Sequence, residues 1–594
     1  MRPALSAATL AVILGFTAPL TAQPQPSADE VNGERVLRHV HVLAEDIGPR
    51  RASTARARKA AAYIISQLES VGLQPERMVV GVVDTPAVNV GPLKFLRAVQ
   101  IYSSDANVVV RFKAEKPQAG KAILVMAHYD TVPGSPGAVD NATSVGILLE
   151  LARVLARAPP PRPIILAFTA AEELRLAGAR KLASTIADEV GLAVSMDLIG
   201  TSETVTLNGL SSLLGRRWLE FLAAVARKAD VPVRAPMPHR VVSRLLPQLE
   251  RSDHGAFTER GVPAFHLYNR TLYLPYHMPF DTTDRVVTAA ATNTGAFLVE
   301  LTRTPGPLPE SGGDQGFWLP FSDTPRVVRA LTAWIVEIIA ILFVVASIVM
   351  VVRRKREPAK GVGLALVLPA YLAGWLVATV ALKLGQTLTL HPSPWIHAPL
   401  RYVIATAAIA ASAGAGAAWL ARTRWSLIGV HRYLLAALSL PLLAGITLLA
   451  VGAHEVAWIP LTGACSLAAM HWARARWSAA VWLAFATIPA ASVLEPGFLR
   501  EAVFHGFLPT SLPLSLFAAV ALLYPTLAAV YLTRRWPLPA ITAKRSRIAV
   551  ASAVGLVAVA ATLTLLVPGT ACEPSIYSAY GISCESAPGV SMLE

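Results

Sequence analysis

Two regimes of hydrophobic patterning divide the chain near residue 320. Before it, apolar residues come in short runs and periodic stripes among charged and polar positions; after it, they come in runs of roughly 20 residues separated by brief basic segments. In the first regime residues 122–126, 164–168, 192–196 and 263–267 are short apolar runs that predict strands, and residues 107–113 alternate as a half-buried strand does. Val145, Leu148, Leu149, Ala152 and Leu155 recur at spacings of three and four and predict a helix over residues 142–156. Helical patterns also cover residues 31–45, 56–71, 174–186, 218–229 and 285–303. Strands alternating with helices predict an α/β fold, a mostly parallel mixed sheet flanked by helices.

The second regime holds eight apolar segments, over residues 331–352, 361–382, 399–421, 433–453, 455–473, 477–494, 511–533 and 548–567. Each is long enough to cross a bilayer as a helix, which predicts an all-α multi-span transmembrane domain over residues 326–567. Residues 305–325, rich in Gly and Pro, predict a linker, and residues 568–594 a polar extracytoplasmic tail. At the other end, Arg2 is followed by an apolar run to Leu20 and then Thr21-Ala22. Residues 1–22 thus read as a signal peptide or an N-terminal anchor, and either exports the domain over residues 23–304.

Composition agrees with this division, with a mean hydropathy of +0.49 and only 15% charged residues. A net charge of +15 suits a polyanion partner if it lies on one face. Instead Arg353, Arg354, Lys355, Arg356 and Lys360, then Arg422, Arg424 and Arg432, then Arg474 and Arg476, then Arg534, Arg535, Lys544, Arg545 and Arg547 fill four segments between apolar runs, offset by Glu357 alone. This is the bias of cytoplasmic loops; it implies the lipid bilayer as partner and no nucleic acid. With the N-terminal domain exported, all four basic segments fall inside and the tail outside. The Ala/Arg/Pro-rich usage points to a bacterial inner membrane with the domain in the periplasm; an endomembrane lumen obeys the same topology. Cys465 lies in an apolar run, while Cys572 and Cys584 lie in the tail, where they pair in an oxidising compartment or stay as two free thiols.

Three of the predicted strands end in metal-type ligands. The first delivers His128 and Asp130, the second is followed by Glu172 and Glu173, and the third by Asp197. In a parallel α/β sheet, sites form beyond the carboxyl ends of strands, so these groups are expected on one face. Asp140 joins from the Gly/Pro-rich loop after the first strand, and a later loop carries Tyr276, His277 and Asp281. Two histidines and three carboxylates suit two zinc ions, one carboxylate bridging them. Of the adjacent Glu172 and Glu173, one can bind metal while the other serves as general base. Asp130, two positions past His128, is expected to orient that imidazole. Asp253 and His254 either shape a pocket or cap the helix after them, with the cap favoured. His39, His41, His239 and His266 read as packing or surface residues. Glu337 marks a polar bundle interior or a functional position within an apolar segment.

The motifs AHYDTVPGSPGAVDNATSV, AFTAAEELRLAGA, SMDLIG, SDHGAF, GVPAFHLYN and YHMPFDTTD stand in this order in the chain. Together they resemble the co-catalytic di-zinc aminopeptidases of metallopeptidase family 28, over roughly residues 30–303. The join to a multi-span region resembles that family's membrane-embedded branch, the endoplasmic reticulum metallopeptidases. The resemblance implies a zinc exopeptidase fold with two Zn2+ ions per chain, His128, Asp140 and Asp197 holding one and Asp140, Glu173 and His277 the other. It implies Glu172 as general base toward a metal-activated water, Tyr276 as an oxyanion stabiliser, and a cis peptide after Asp140. Met278 and the pair Ala170-Ala171 depart from the family's usual residues and remove no ligand. The implied activity is a membrane-anchored aminopeptidase acting on peptides. A glutaminyl cyclase-like acyltransferase and a non-catalytic receptor-like relative are the alternatives.

Overall fold

The computed structural model describes residues 30–311, apart from 91–92, 97, 116–119, 209, 212, 235–251 and 270–276. It also describes residues 316–318, 327–353, 367–388, 405–406, 408–413, 430–450 and 454–472, with a few isolated positions beyond. Residues 1–22 and 568–594, with Cys572 and Cys584, lie outside the described residues.

An eight-stranded sheet organises the N-terminal domain. Its strands are β1 (Glu76–Thr85), β2 (Val99–Phe112), β3 (Ala122–His128), β4 (Ile164–Thr169), β5 (Val190–Met196), β6 (Val205–Asn208), β7 (Val233–Arg234) and β8 (Ala264–Asn269). They lie in the order β1-β2-β4-β3-β5-β8-β6-β7. The central β4, β3, β5 and β8 run parallel, while β1 and β2 on one side and β6 on the other are antiparallel to their inner neighbours. Every residue of β3 and β4 is buried, which is why both read as uninterrupted apolar runs. Successive β3 side chains point to opposite faces. Ile123 and Val125 join the larger core, and Leu124 and Met126 the smaller one.

Helices cover both faces. Core residues of α1 (Gly33–His41), α2 (Ala55–Ser70), α3 (Thr143–Leu155), α5 (Arg216–Ala229) and α7 (Thr288–Arg303) fill the larger core, and those of α4 (Ala177–Ile186) and α6 (His254–Thr258) the smaller. The central helix α3 is buried along its whole length. Each fully buried Leu or Ile on it contributes about 1.5–3 kcal/mol.

Register brings the chemistry to one level. His128 pairs with Thr169 across β3 and β4, and Ala127 with Met196 across β3 and β5. The residues that follow, among them Asp130, Glu172, Glu173 and Asp197, therefore leave the same edge of the sheet. The turn after β4 is shaped by a close approach. A Cβ on Gly178, in the first turn of α4, would overlap the Ala170 backbone and the Asn107 side chain, which itself bonds Ala170 N and Gly178 O at 2.9 Å each. We expect Gly178→Ala to destabilise the domain by about 1–3 kcal/mol, measured as a lowered unfolding midpoint, because the nearest atoms are backbone and cannot swing aside.

Several elements differ from their predicted bounds. β1 was not legible, because a bulge between Val79 and Gly81 shifts the phase of its inward residues. Helix α4 starts at Ala177 rather than 174, since Arg175 and Leu176 are both left-handed, with φ of 61° each. α7 starts at Thr288 after a separate 3-10 turn, Thr283–Arg285. Within the expected linker, Gly316–Trp318 forms a two-stranded ribbon with Val327–Arg329.

Beyond the sheet domain, α8 (Ala330–Arg353), α9 (Val367–Leu388), α10 (Val430–Ala450) and α11 (His454–Trp472) cover four of the eight apolar segments. The stretch Ile335–Arg353, with a mean hydropathy of 3.1, is the one helix found long and apolar enough to cross a membrane among the described residues. The other four segments lie outside the described residues, save helical residues 405–406 and 408–413 and scattered positions. α8 and α11 pack in parallel: Cys465 Sγ meets Ala340 O at 3.8 Å, and Trp472 Nε1 donates to Ser347 Oγ at 3.1 Å.

Candidate metal centre

Two groups of ligand atoms meet at Asp140. One oxygen, Oδ1, lies 3.3 Å from His128 Nε2, which is itself 3.6 Å from Asp197 Oδ1. The other, Oδ2, lies 3.1 Å from His277 Nε2, which is 3.3 Å from Glu173 Oε1. Each group thus holds one imidazole and two carboxylates, and Asp140 belongs to both. The peptide from Asp140 to Asn141 is cis, as the resemblance implies. Glu172 stands beside the first group, its Oε2 4.0 Å from His128 Nε2, and enters neither.

The donor set fits zinc. His128 Nδ1 is 3.1 Å from the carbonyl of Asp130. A carbonyl can only accept, so Nδ1 carries the proton and the lone pair of Nε2 faces Asp140 and Asp197. His128 Nε2 and Asp197 Oδ1 are buried without a hydrogen-bond partner, as atoms prepared for a cation are. Two imidazoles also cannot balance the carboxylates of Asp140, Glu172, Glu173 and Asp197, crowded in one buried place. Burial drives the Glu172 carboxyl well above its ordinary range and raises that of Asp197.

The family model described as Peptidase family M28 matches residues 107–302. This segment belongs to peptidase family M28. Among curated relatives, "Putative endoplasmic reticulum metallopeptidase 1" of Schizosaccharomyces pombe is 27% identical over 31% of this chain and 24% of its own length. "Aminopeptidase YwaD" of Bacillus subtilis is 37% identical over 14% of this chain and 18% of its own length. The first curated relatives are each matched over less than two thirds of their length. Among solved structures, an aminopeptidase from Aneurinibacillus sp. strain AM-1 is 17% identical with a TM-score of 0.39, covering 48% of this chain and 98% of that one.

Within the M28 segment, Asp130 departs from its expected part. Its carboxylate is 3.8 Å from His128 Nδ1, too far for a hydrogen bond. Its backbone carbonyl orients the imidazole instead, and the carboxylate accepts the amides of Glu172 at 3.0 Å and Glu173 at 3.3 Å. Asp130 thereby fixes both glutamates. Buried, its carboxyl is pushed up to about 7. Asp253 likewise departs from the expected cap. It makes no capping bond to α6 and pairs with Thr169 Oγ1, fully buried. His266 packs as expected, stacked between His254 and Tyr268. Tyr276 lies outside the described residues.

Sequence reasoning missed Arg50, upstream of the M28 match. Its guanidinium is wholly buried and donates to the carbonyls of Tyr129 (2.6 Å), Pro136 (2.5 Å), Gly137 (2.9 Å) and Leu43 (3.4 Å). It thereby staples down the loop between His128 and Asp140. Burial lowers its pKa to about 10, countered by the nearby Asp281, Asp140 and Asp130. No periodicity or motif marks a lone arginine whose partners are all backbone.

Proposed function

We propose that this protein is a membrane-anchored zinc exopeptidase, an aminopeptidase that removes N-terminal residues from peptides on the extracytoplasmic side. The observation that carries the reading is Asp140, with one oxygen turned to each of two histidine–carboxylate groups. His128, Asp140 and Asp197 would hold one zinc, and Asp140, Glu173 and His277 the other. Zinc bound there supplies Lewis acidity, polarising a scissile carbonyl and acidifying water. Glu172 takes the proton of the attacking water and returns it to the leaving amine. Asp130 keeps Glu172 in place by gripping its amide. By resemblance, Tyr276 stabilises the oxyanion. The aminopeptidase choice takes support from the relative that bears that name. The second histidine–carboxylate group speaks against a single-zinc glutaminyl cyclase, and the full ligand set against a non-catalytic relative.

The membrane reading takes support from the apolar residues that α8 turns outward, among them Ile335, Ile339, Leu342 and Val352. Parallel packing of α8 and α11 puts Arg353 and Trp472 at the same end, as a common cytoplasmic side for the basic segments next to them in sequence requires. On this reading the eight segments are spans, and the M28 segment faces a bacterial periplasm.

The test is digestion of a peptide library by the full-length chain in detergent, read by mass spectrometry. We expect trimming from the N-terminus, a fall to below about 1% of activity after chelation, and recovery with zinc. Trimming from the C-terminus, cyclisation of N-terminal Gln, or indifference to chelation would overturn the reading.

A further inference from the structure

Asp281 is buried and no part of the reaction just described calls on it. Its carboxylate spans two consecutive amides, Oδ1 accepting from Val139 N at 2.7 Å and Oδ2 from Asp140 N at 3.0 Å. Its own carbonyl accepts from Ala138 N at 3.1 Å. Three successive amides, ending at Asp140, are thus held by one residue. They open the helical turn Ala138–Ala142, where backbone donors have no partner of their own. An ionised carboxylate serves such donors with short, charge-assisted bonds.

The other end of this contact matters as much. Asp281 closes the short loop that begins at His277, and its amide donates to Met278 O at 3.2 Å. One carboxylate therefore ties the backbone of Asp140 to the loop that presents His277. The His128–Asp197 pair needs no such tie, since His128 ends β3 and Asp197 follows β5, and these strands pair directly with each other.

We infer that Asp281 is a positioning residue that sets His277 against Asp140, so that the Asp140–Glu173–His277 metal position depends on it more strongly than the His128–Asp140–Asp197 position, which shares Asp140 but draws its other two residues from paired strands. This rests on the two-zinc reading above. A residue that merely stabilised the fold would lower the melting temperature and leave the two positions equally occupied.

The experiment is zinc content per chain, by elemental analysis, for the full-length protein and Asp281→Asn equilibrated with the same series of zinc buffers. Asn keeps one acceptor and sets an NH2 donor against the second amide. We expect two zinc ions on the wild type, and on the variant one retained within a few-fold of its normal affinity and one bound about 10- to 100-fold more weakly. A folded variant that holds both ions as tightly as wild type, or loses both in step, overturns the inference. A wild type that binds fewer than two overturns the two-zinc reading and the inference with it. Should Asp281→Asn fail to fold, amide exchange in the metal-free wild type decides: slow exchange at Val139 and Asp140 is expected, and fast exchange overturns the inference.

Discussion

Asp140→Ala is expected to bind neither zinc at concentrations that saturate the wild type, and to turn over peptide at least about a thousandfold more slowly. The two oxygens of Asp140 face different imidazoles, at 3.3 Å and 3.1 Å, so a single truncation removes a donor from both positions. Glu173→Ala is the companion measurement. It strips a donor from the His277 side alone and should leave one zinc in place. Elemental analysis, with far-UV circular dichroism as the check on folding, reads both variants. A folded Asp140→Ala protein with wild-type zinc content would rule out the shared-ligand arrangement.

Glu172→Gln separates chemistry from metal binding. Glu172 belongs to neither ligand group, so the variant should keep both zinc ions and a near-normal KM. Its kcat should fall about 10²- to 10⁴-fold, the usual loss when a proton-carrying side chain is removed. Gln has the same shape, and the backbone there is gripped by Asp130 through the Glu172 amide, so the residue should stay where it is. Only the capacity to take up and release a proton is lost. Steady-state kinetics beside zinc content give the answer, and a variant of undiminished kcat would remove Glu172 from the reaction.

Much of the fold was legible because buried parallel strands advertise themselves. β3, β4 and β5 are apolar runs, and the residues that end them carry the ligand types. β1 was hidden by its bulge at Gly81, and β6 and β7 are too short to show a period. In the candidate site, the residues grouped around Asp140 followed from motif order, whereas the residues that fasten the backbone beneath them did not. Arg50 and Asp281 bond backbone groups, and a backbone amide or carbonyl leaves no trace in the identity of its residue. Asp130 shows how proximity along the chain misleads. His128 is two positions away, yet the Asp130 carboxylate serves amides 42 and 43 positions away. The helix bounds erred where left-handed residues, such as Leu176, interrupt an otherwise helical pattern.

The buried Arg50 has a bearing on how such a catalytic unit is inherited. The M28 family model matches from residue 107, yet the loop that delivers Asp140 is fastened by an arginine that lies before it. Recombination that carried off only the matched stretch would transfer every candidate ligand and leave behind the cation that holds the Asp140 loop in shape. The stretch that keeps its shape when moved is therefore longer than the stretch the family model matches, and its N-terminal border lies upstream of Arg50.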